Sequence, residues 1–262
     1  MMKIVKEDEN HNKILNFEPK LINTELIFSG SNNILICDEN VTILNSKIKF
    51  NGDNSIIYLS SNCNNYLLII SIFNDSTLYI DENCYFNNLL FLILSESKNI
   101  FIGKECLFSS GVWIRLADPH LIYDIDTMER INLSKNVYIG DHVWIGQDSM
   151  LLKGSTIGSG SIIGAKSLVS NKNVPSNSIW GGNPIRELRT NIFFDGQSVH
   201  RYTKNDTDQS MKYDSRKWVF EKDNSSTAFE KLDEFDKFTT VETKIQFLYN
   251  LRRNRNHNRF FI

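Results

Sequence analysis

From Ile139 to Val169 an aliphatic residue returns every six positions and is followed by glycine or another small residue: Ile139-Gly140, Ile145-Gly146, Leu151, Ile157-Gly158, Ile163-Gly164, Val169-Ser170. Six is neither the 3.6-residue period of a helix nor the two-residue alternation of a simple strand. It suits a coil with flat sides, in which a short strand and a tight turn make up each side and each turn stacks on the one below. One apolar residue per side then points inward. Glycine at the next position suits turns that ordinary side chains enter only with strain.

Upstream the beat is longer. Asn33-Ile34-Leu35-Ile36, Ser55-Ile56-Ile57-Tyr58, Thr77-Leu78-Tyr79-Ile80 and Asn99-Ile100-Phe101-Ile102 line up at a spacing of 22, and Asp81-Glu82-Asn83-Cys84 rhymes with Gly103-Lys104-Glu105-Cys106. The next member, Asn136-Val137-Tyr138-Ile139-Gly140-Asp141, comes 37 residues after Asn99, so about 15 residues are inserted into one turn of the coil. Unrelated strands of a β-sandwich would repeat the strand pattern without repeating the turn chemistry. The pattern predicts an N-terminal cap over 1–25, a repeat body over 26–190 with an inserted loop over 115–132, and an extension over 191–262.

Pro175 and Ser176-Asn177-Ser178 end the beat, and Trp180-Gly181-Gly182-Asn183-Pro184 forms a last turn before a short basic segment from Ile185 to Asn191. Residues 192–224 read as loop. Ser226–Asn250 has helical spacing through Phe229, Leu232, Phe235, Phe238, Val241, Ile245 and Leu248, and is expected to pack on the coil or on a neighbouring subunit. Arg252, Arg253, Arg255 and Arg259 read as a solvated basic end, with an acidic acceptor as the sharper reading.

A net charge of −2 gives no global steering towards nucleic acid or a membrane. The apolar run Leu89–Leu94 is too short to span a bilayer, and no basic-apolar leader pattern opens the chain, so a soluble cytoplasmic protein is expected. The four cysteines (Cys37, Cys63, Cys84, Cys106) lack paired metal-ligand spacing. Cys84 and Cys106 share a repeat position and should stack on adjacent turns as reduced core residues. The abundance of Asn, Lys, Ile and Phe reads as an AT-rich coding bias.

Irregular loops on a rigid scaffold are where chemistry tends to reside. The insertion reads Arg115-Leu116-Ala117-Asp118-Pro119-His120-Leu121-Ile122-Tyr123-Asp124-Ile125-Asp126-Thr127-Met128-Glu129-Arg130-Ile131-Asn132. With Ile139-Gly140-Asp141-His142-Val143-Trp144-Ile145-Gly146 and Val174-Pro175 to Gly181-Gly182-Asn183-Pro184, it resembles the hexapeptide-repeat O-acetyltransferases, and most of all those that O-acetylate sialic acid and capsule polysaccharides. The likeness is strong over 100–190, rests on the repeat alone over 30–100, and stops short of the tail. It implies a left-handed parallel β-helix, acetyl-CoA as co-substrate and a homotrimer with sites at subunit clefts.

By the same resemblance His120 is the catalytic histidine and Trp144 its partner at the site; Arg130 and Tyr123 are taken as further acceptor contacts, and His142 reads as a turn residue or an acceptor contact. Gln147 would offer an oxyanion N–H, Ala165 would pair with pantetheine, Ser170, Lys172 and Arg186 would meet the phosphates, and Trp180 would stack on adenine or close the coil. Ser170-Asn171-Lys172 departs from the family's Thr-Lys pair by one residue, which displaces the lysine.

The chemistry calls for such a histidine: a sugar hydroxyl is a poor nucleophile at neutral pH, and an imidazole near its ordinary pKa can take its proton. Asp118 is a local candidate for orienting that ring. Three other readings compete. A γ-class carbonic anhydrase would need a third histidine beside His120 and His142 to hold zinc, and no metal is expected. N-acetylation of a nucleotide-linked amino sugar would use the same cofactor. A non-catalytic β-helix would have no use for His120 or the Val-Trp-Ile-Gly motif.

Overall fold

A computed structural model describes residues 3–222 and 228–262. The six-residue beat builds the flat-sided coil it predicts, and with the handedness that the resemblance implies the fold is a left-handed parallel β-helix with three faces and a small helical tail. Ile139, Ile145 and Leu151 point inward from the first, second and third faces, and Ile157, Ile163 and Val169 repeat the series one turn later, all essentially inaccessible. Columns of like residues therefore run along the axis. Leu35, Ile57, Leu78, Ile100 and Val137 stack inside the first face, and Phe86, Phe108, Ile145, Ile163 and Trp180 inside the second.

The coil begins earlier than the expected boundary at 26. Lys13–Asn16 already pairs in parallel with Ile34–Cys37, and only Ile4–Glu7 turns back antiparallel as a cap. The spacing of 22 also slips once. Ile56, and not Ser55, lies opposite Thr77, because that turn is one residue shorter.

Asparagine supplies much of the corner chemistry that the sequence pattern assigned to glycine. It takes ten of the nineteen non-glycine residues with positive φ among the described residues. Asn33 accepts from the Ser55 backbone N–H, Asn99 from that of Thr77, and Asn136 from that of Asn99. At these positions asparagine thus has a structural cause. Where corners stack closest glycine is required: a Cβ at Gly146 would sit 2.6 Å from the Ala165 nitrogen. Cys84 and Cys106 are buried free thiols that donate to the carbonyls of Gly103 and Gly140 on the following turns.

The first face is apolar on both sides. Its outward column, Ile36, Tyr58, Tyr79, Phe101 and Tyr138, is covered by the tail. That tail contains α1 (Lys204–Gln209), α2 (Ala228–Phe235) and α3 (Val241–Arg253), so the expected helical stretch is two helices separated by a turn at 236–240. Residues 223–227, where the predicted loop ends and the helical spacing starts, lie outside the described residues. Leu232 and Phe235 from α2, and Ile245, Leu248 and Leu251 from α3, pack on the aromatic column.

The basic end is not solvated, which corrects the reading from composition. Arg252 pairs with Asp38, Arg255 with Asp81 and Glu82, and the buried Arg259 with both Asp81 and Asp141. Of the four arginines only Arg253 is exposed. Burial alone would raise the Asp81 carboxyl, but Arg259 and Arg255 outweigh it and hold it below the usual carboxylate range. Among the described residues no helix is long and apolar enough to cross a membrane.

Candidate active site

The inserted loop replaces the third corner of one turn, between the strand Trp113–Arg115 on the third face and Val137–Ile139 on the first. A loop of this length would wander without anchors, and it has three. Buried Asn132 accepts from the Ile122 backbone N–H at 3.0 Å and from Arg130 Nε at 3.1 Å, and its Nδ2 donates to the His120 carbonyl at 2.7 Å. Arg130 forms a fork with Glu96 at 2.5 and 3.0 Å, and Ser134 donates to the same carboxylate. Hydrogen bonds from Arg130 and Ser134 hold the Glu96 carboxyl down to about 2. Lys153, on the turn above, donates to Asp118 at 2.6 Å and to the Asn132 carbonyl at 3.0 Å.

His120 is exposed on this frame, and its ring has no hydrogen-bond partner among the described residues. Asp118 is engaged with Lys153 and does not orient His120, contrary to the expectation from their closeness in sequence. Arg130 is a strut of the loop, tied up with Glu96, and offers no free fork to an acceptor. Tyr123 is exposed near the loop tip and bridges to Arg130 through the backbone. Glu96 and Lys153 carried no sequence signal, because their partners lie 34 and 35 residues away and meet them only once the coil closes.

A second group of residues meets on the second face. Trp144 points outward there, 40% exposed, with its indole N–H donating to Ser109 Oγ at 3.2 Å. Beside it a recess of about 370 Å³ is bounded by Ser109, Trp144, Gln147, Ile162, Gly164 and Ala165. Three predicted residues, Trp144, Gln147 and Ala165, are thereby brought together. His120 does not join them within one chain. It stands at the third corner, and the whole third face separates it from the second corner, where Gln147 and Ala165 sit.

Of the two roles expected for His142 the structure has the turn residue, at a φ of 52°. At the first corner its ring is only 3% exposed, stacked between Phe194 at 4.1 Å and Trp218 at 3.6 Å, with Nε2 at 3.0 Å from the Phe194 carbonyl. Burial pushes its pKa down to about 4, against the opposing pull of the Phe194 carbonyl. A ring closed on both faces has no surface left for an acceptor, so the contact role falls to other residues. Phe194 and Trp218 carried no sequence signal, since both lie in a stretch that reads as loop.

Of the remaining positions, Ser170 and Arg186 are exposed at the C-terminal end of the coil, Arg186 on a short antiparallel strand that the basic segment forms. Lys172 lies over the Trp180 ring at 5.2 Å. Trp180 is mostly buried at the inner end of the second-face column, so it closes the coil. Among the described residues no group of three His, Cys, Asp or Glu is placed to hold a metal ion.

Comparison with known proteins agrees with this architecture. Residues 136–171 match the family described as bacterial transferase hexapeptide (six repeats). No curated protein matches the chain. Among solved structures, a polysialic acid O-acetyltransferase, OatWY, is similar at 28% identity and a TM-score of 0.61, over 72% of this chain and 89% of its own. The polysialic-acid-specific acetyltransferase NeuO shares the fold at 24% identity and a TM-score of 0.56, over 72% of this chain and 96% of its own. Residues 136–171 thus carry repeats of the bacterial hexapeptide-transferase kind, and the three-sided coil is similar to that of OatWY.

Proposed function

We propose that this chain is an acetyl-CoA-dependent O-acetyltransferase that moves an acetyl group to a hydroxyl of a sugar in a bacterial surface glycan, capsule or lipooligosaccharide, with sialic acid as a candidate acceptor unit. His120 takes the proton of the attacking hydroxyl. The new C–O bond forms as the thioester C–S bond breaks, and the imidazolium returns its proton to the departing thiolate. The oxyanion that develops on the thioester carbonyl is met by the backbone N–H at Gln147. Trp144 offers its face to the acceptor sugar. The coenzyme lies along the recess beside Ala165 and runs towards Ser170, Lys172 and Arg186. The protein works in the cytoplasm, where acetyl-CoA is available.

One observation carries this reading: a loop pinned at three points presents an exposed histidine, while the recess beside Trp144 lies across the third face. Two copies of the chain would bring these halves together at a cleft, and a homotrimer closes such a contact with three equivalent sites. Two surfaces support it. The third face carries an outward apolar column of Ile69, Phe91, Trp113, Met150 and Leu168, with Phe91 and Trp113 stacked at 4.3 Å. The loop beside it exposes Leu121, Ile125 and Met128.

The test is to incubate purified protein with acetyl-CoA and a panel of sialylated and neutral glycans while following thiol release and product mass. Acceptor-dependent release that drops about 10²- to 10⁴-fold in His120→Ala supports the proposal. Release that is acceptor-independent, or unchanged in that variant, contradicts it.

A further inference from the structure

The segment that follows the coil is fixed to it on one side and open on the other. Phe194 and Trp218 clamp His142, and Asn177 donates to the Phe220 carbonyl at 2.6 Å while accepting from its backbone N–H at 3.2 Å. The neighbouring aromatic rings face outward. Phe193 and Tyr213 are 37% and 43% exposed, with ring centroids 5.2 Å apart. Tyr213 donates to Asp195 Oδ2 at 2.8 Å and Tyr202 to Gln197 Oε1 at 2.9 Å, which sets the rim of a recess of about 390 Å³. Asp206 and Lys212 are the other charged residues of its lining, which Val199, Gln209 and Ser210 complete.

The recess is linked to the Trp144 side of the coil through Phe194. Phe194, the residue before Asp195, lies 6.0 Å from the Trp144 ring. Its chemistry suits a sugar. A pyranose presents a C–H face to an aromatic ring and hydroxyls to carboxylate and amide oxygens, and carboxylate acceptors make the stronger bonds. A few convergent polar groups in a recess of several hundred cubic ångströms match the usual small-ligand site. Burial pushes the Asp195 carboxyl up, but the hydrogen bonds from Tyr213 and the Gln197 N–H bring it below the usual range, so it is charged at neutral pH. Two carboxylates against one ammonium disfavour an anionic sugar here.

We propose that this recess binds an uncharged sugar unit of the acceptor glycan, next along the chain from the unit that receives the acetyl group. The proposal rests on the glycan-acceptor reading above, yet its test needs no transfer. Saturation-transfer NMR without acetyl-CoA would compare maltohexaose, chitohexaose and a galactan oligomer with a sialic acid tetramer. At least one neutral oligomer should bind wild type and His120→Ala alike, and binding should weaken about tenfold or more in Tyr213→Ala and in Asp195→Asn. The sialic acid tetramer should bind more weakly. Absence of binding by every neutral oligomer, binding that survives both substitutions in folded protein, or tighter binding of the tetramer would each overturn the proposal. An inactive enzyme that still binds the neutral oligomer would sink only the transfer reading.

Discussion

Asn132 does more to place His120 than any residue beside it in sequence. It holds the His120 carbonyl, the Ile122 N–H and the Arg130 guanidinium from one buried amide. Asn132→Ala should therefore cost catalysis more than stability. Turnover should fall by about tenfold or more, since misplaced groups lose rate steeply, while the melting temperature moves little. A large loss of melting temperature with unchanged turnover per folded molecule would refute that division. His142 makes a second residue-scale prediction. Its neutral form is the one buried, so its contribution to docking the 192–222 segment is present above its unfolded pKa of about 6.5 and is lost as pH falls towards about 4. Urea unfolding followed by tryptophan fluorescence should show that loss between these values, and His142→Phe should flatten it. A variant that keeps the wild-type slope would show that other groups cause it. At this scale the motif residues were legible because their pattern is local. Asp118 was misread, and His142 was left open between a turn and an acceptor contact, because Lys153 and Phe194, 35 and 52 residues away, decide what they do.

The tail is joined to the coil by an apolar surface and by ions. Helical spacing in the sequence foretold the apolar part, and Leu232, Phe235, Ile245 and Leu248 do pack on the column of Tyr58, Tyr79, Phe101 and Tyr138. The ionic part could not be read. Arg259 meets Asp141 across 118 residues, and nothing local distinguishes a buried arginine from a solvated one. Removing one member of a buried ion group leaves charge without a partner, here the carboxylates of Asp81 and Asp141. Arg259→Ala should destabilise the protein by about 3–5 kcal/mol, measured by chemical unfolding. Double replacement of Asp81 and Asp141 by Asn in that background should recover part of the loss. A cost below about 1 kcal/mol would mean that the tail is held by its apolar surface alone.

For the whole molecule, the repeat made the coil legible: each inward residue of the six-residue beat is where the periodicity puts it. Assembly was open to inference only through resemblance, because a single chain keeps His120 and Trp144 on opposite sides of the third face. The central claim is that one copy supplies the histidine and its neighbour supplies the tryptophan recess. Refolding His120→Ala together with Trp144→Ala from denaturant, so that trimers mix at random, tests it directly. Each variant alone should be nearly inactive, and the equal mixture should recover about a quarter of wild-type transfer, because one cleft in four then holds both native residues. A mixture as inactive as its components, although shown by mass spectrometry to contain mixed trimers, would contradict the account.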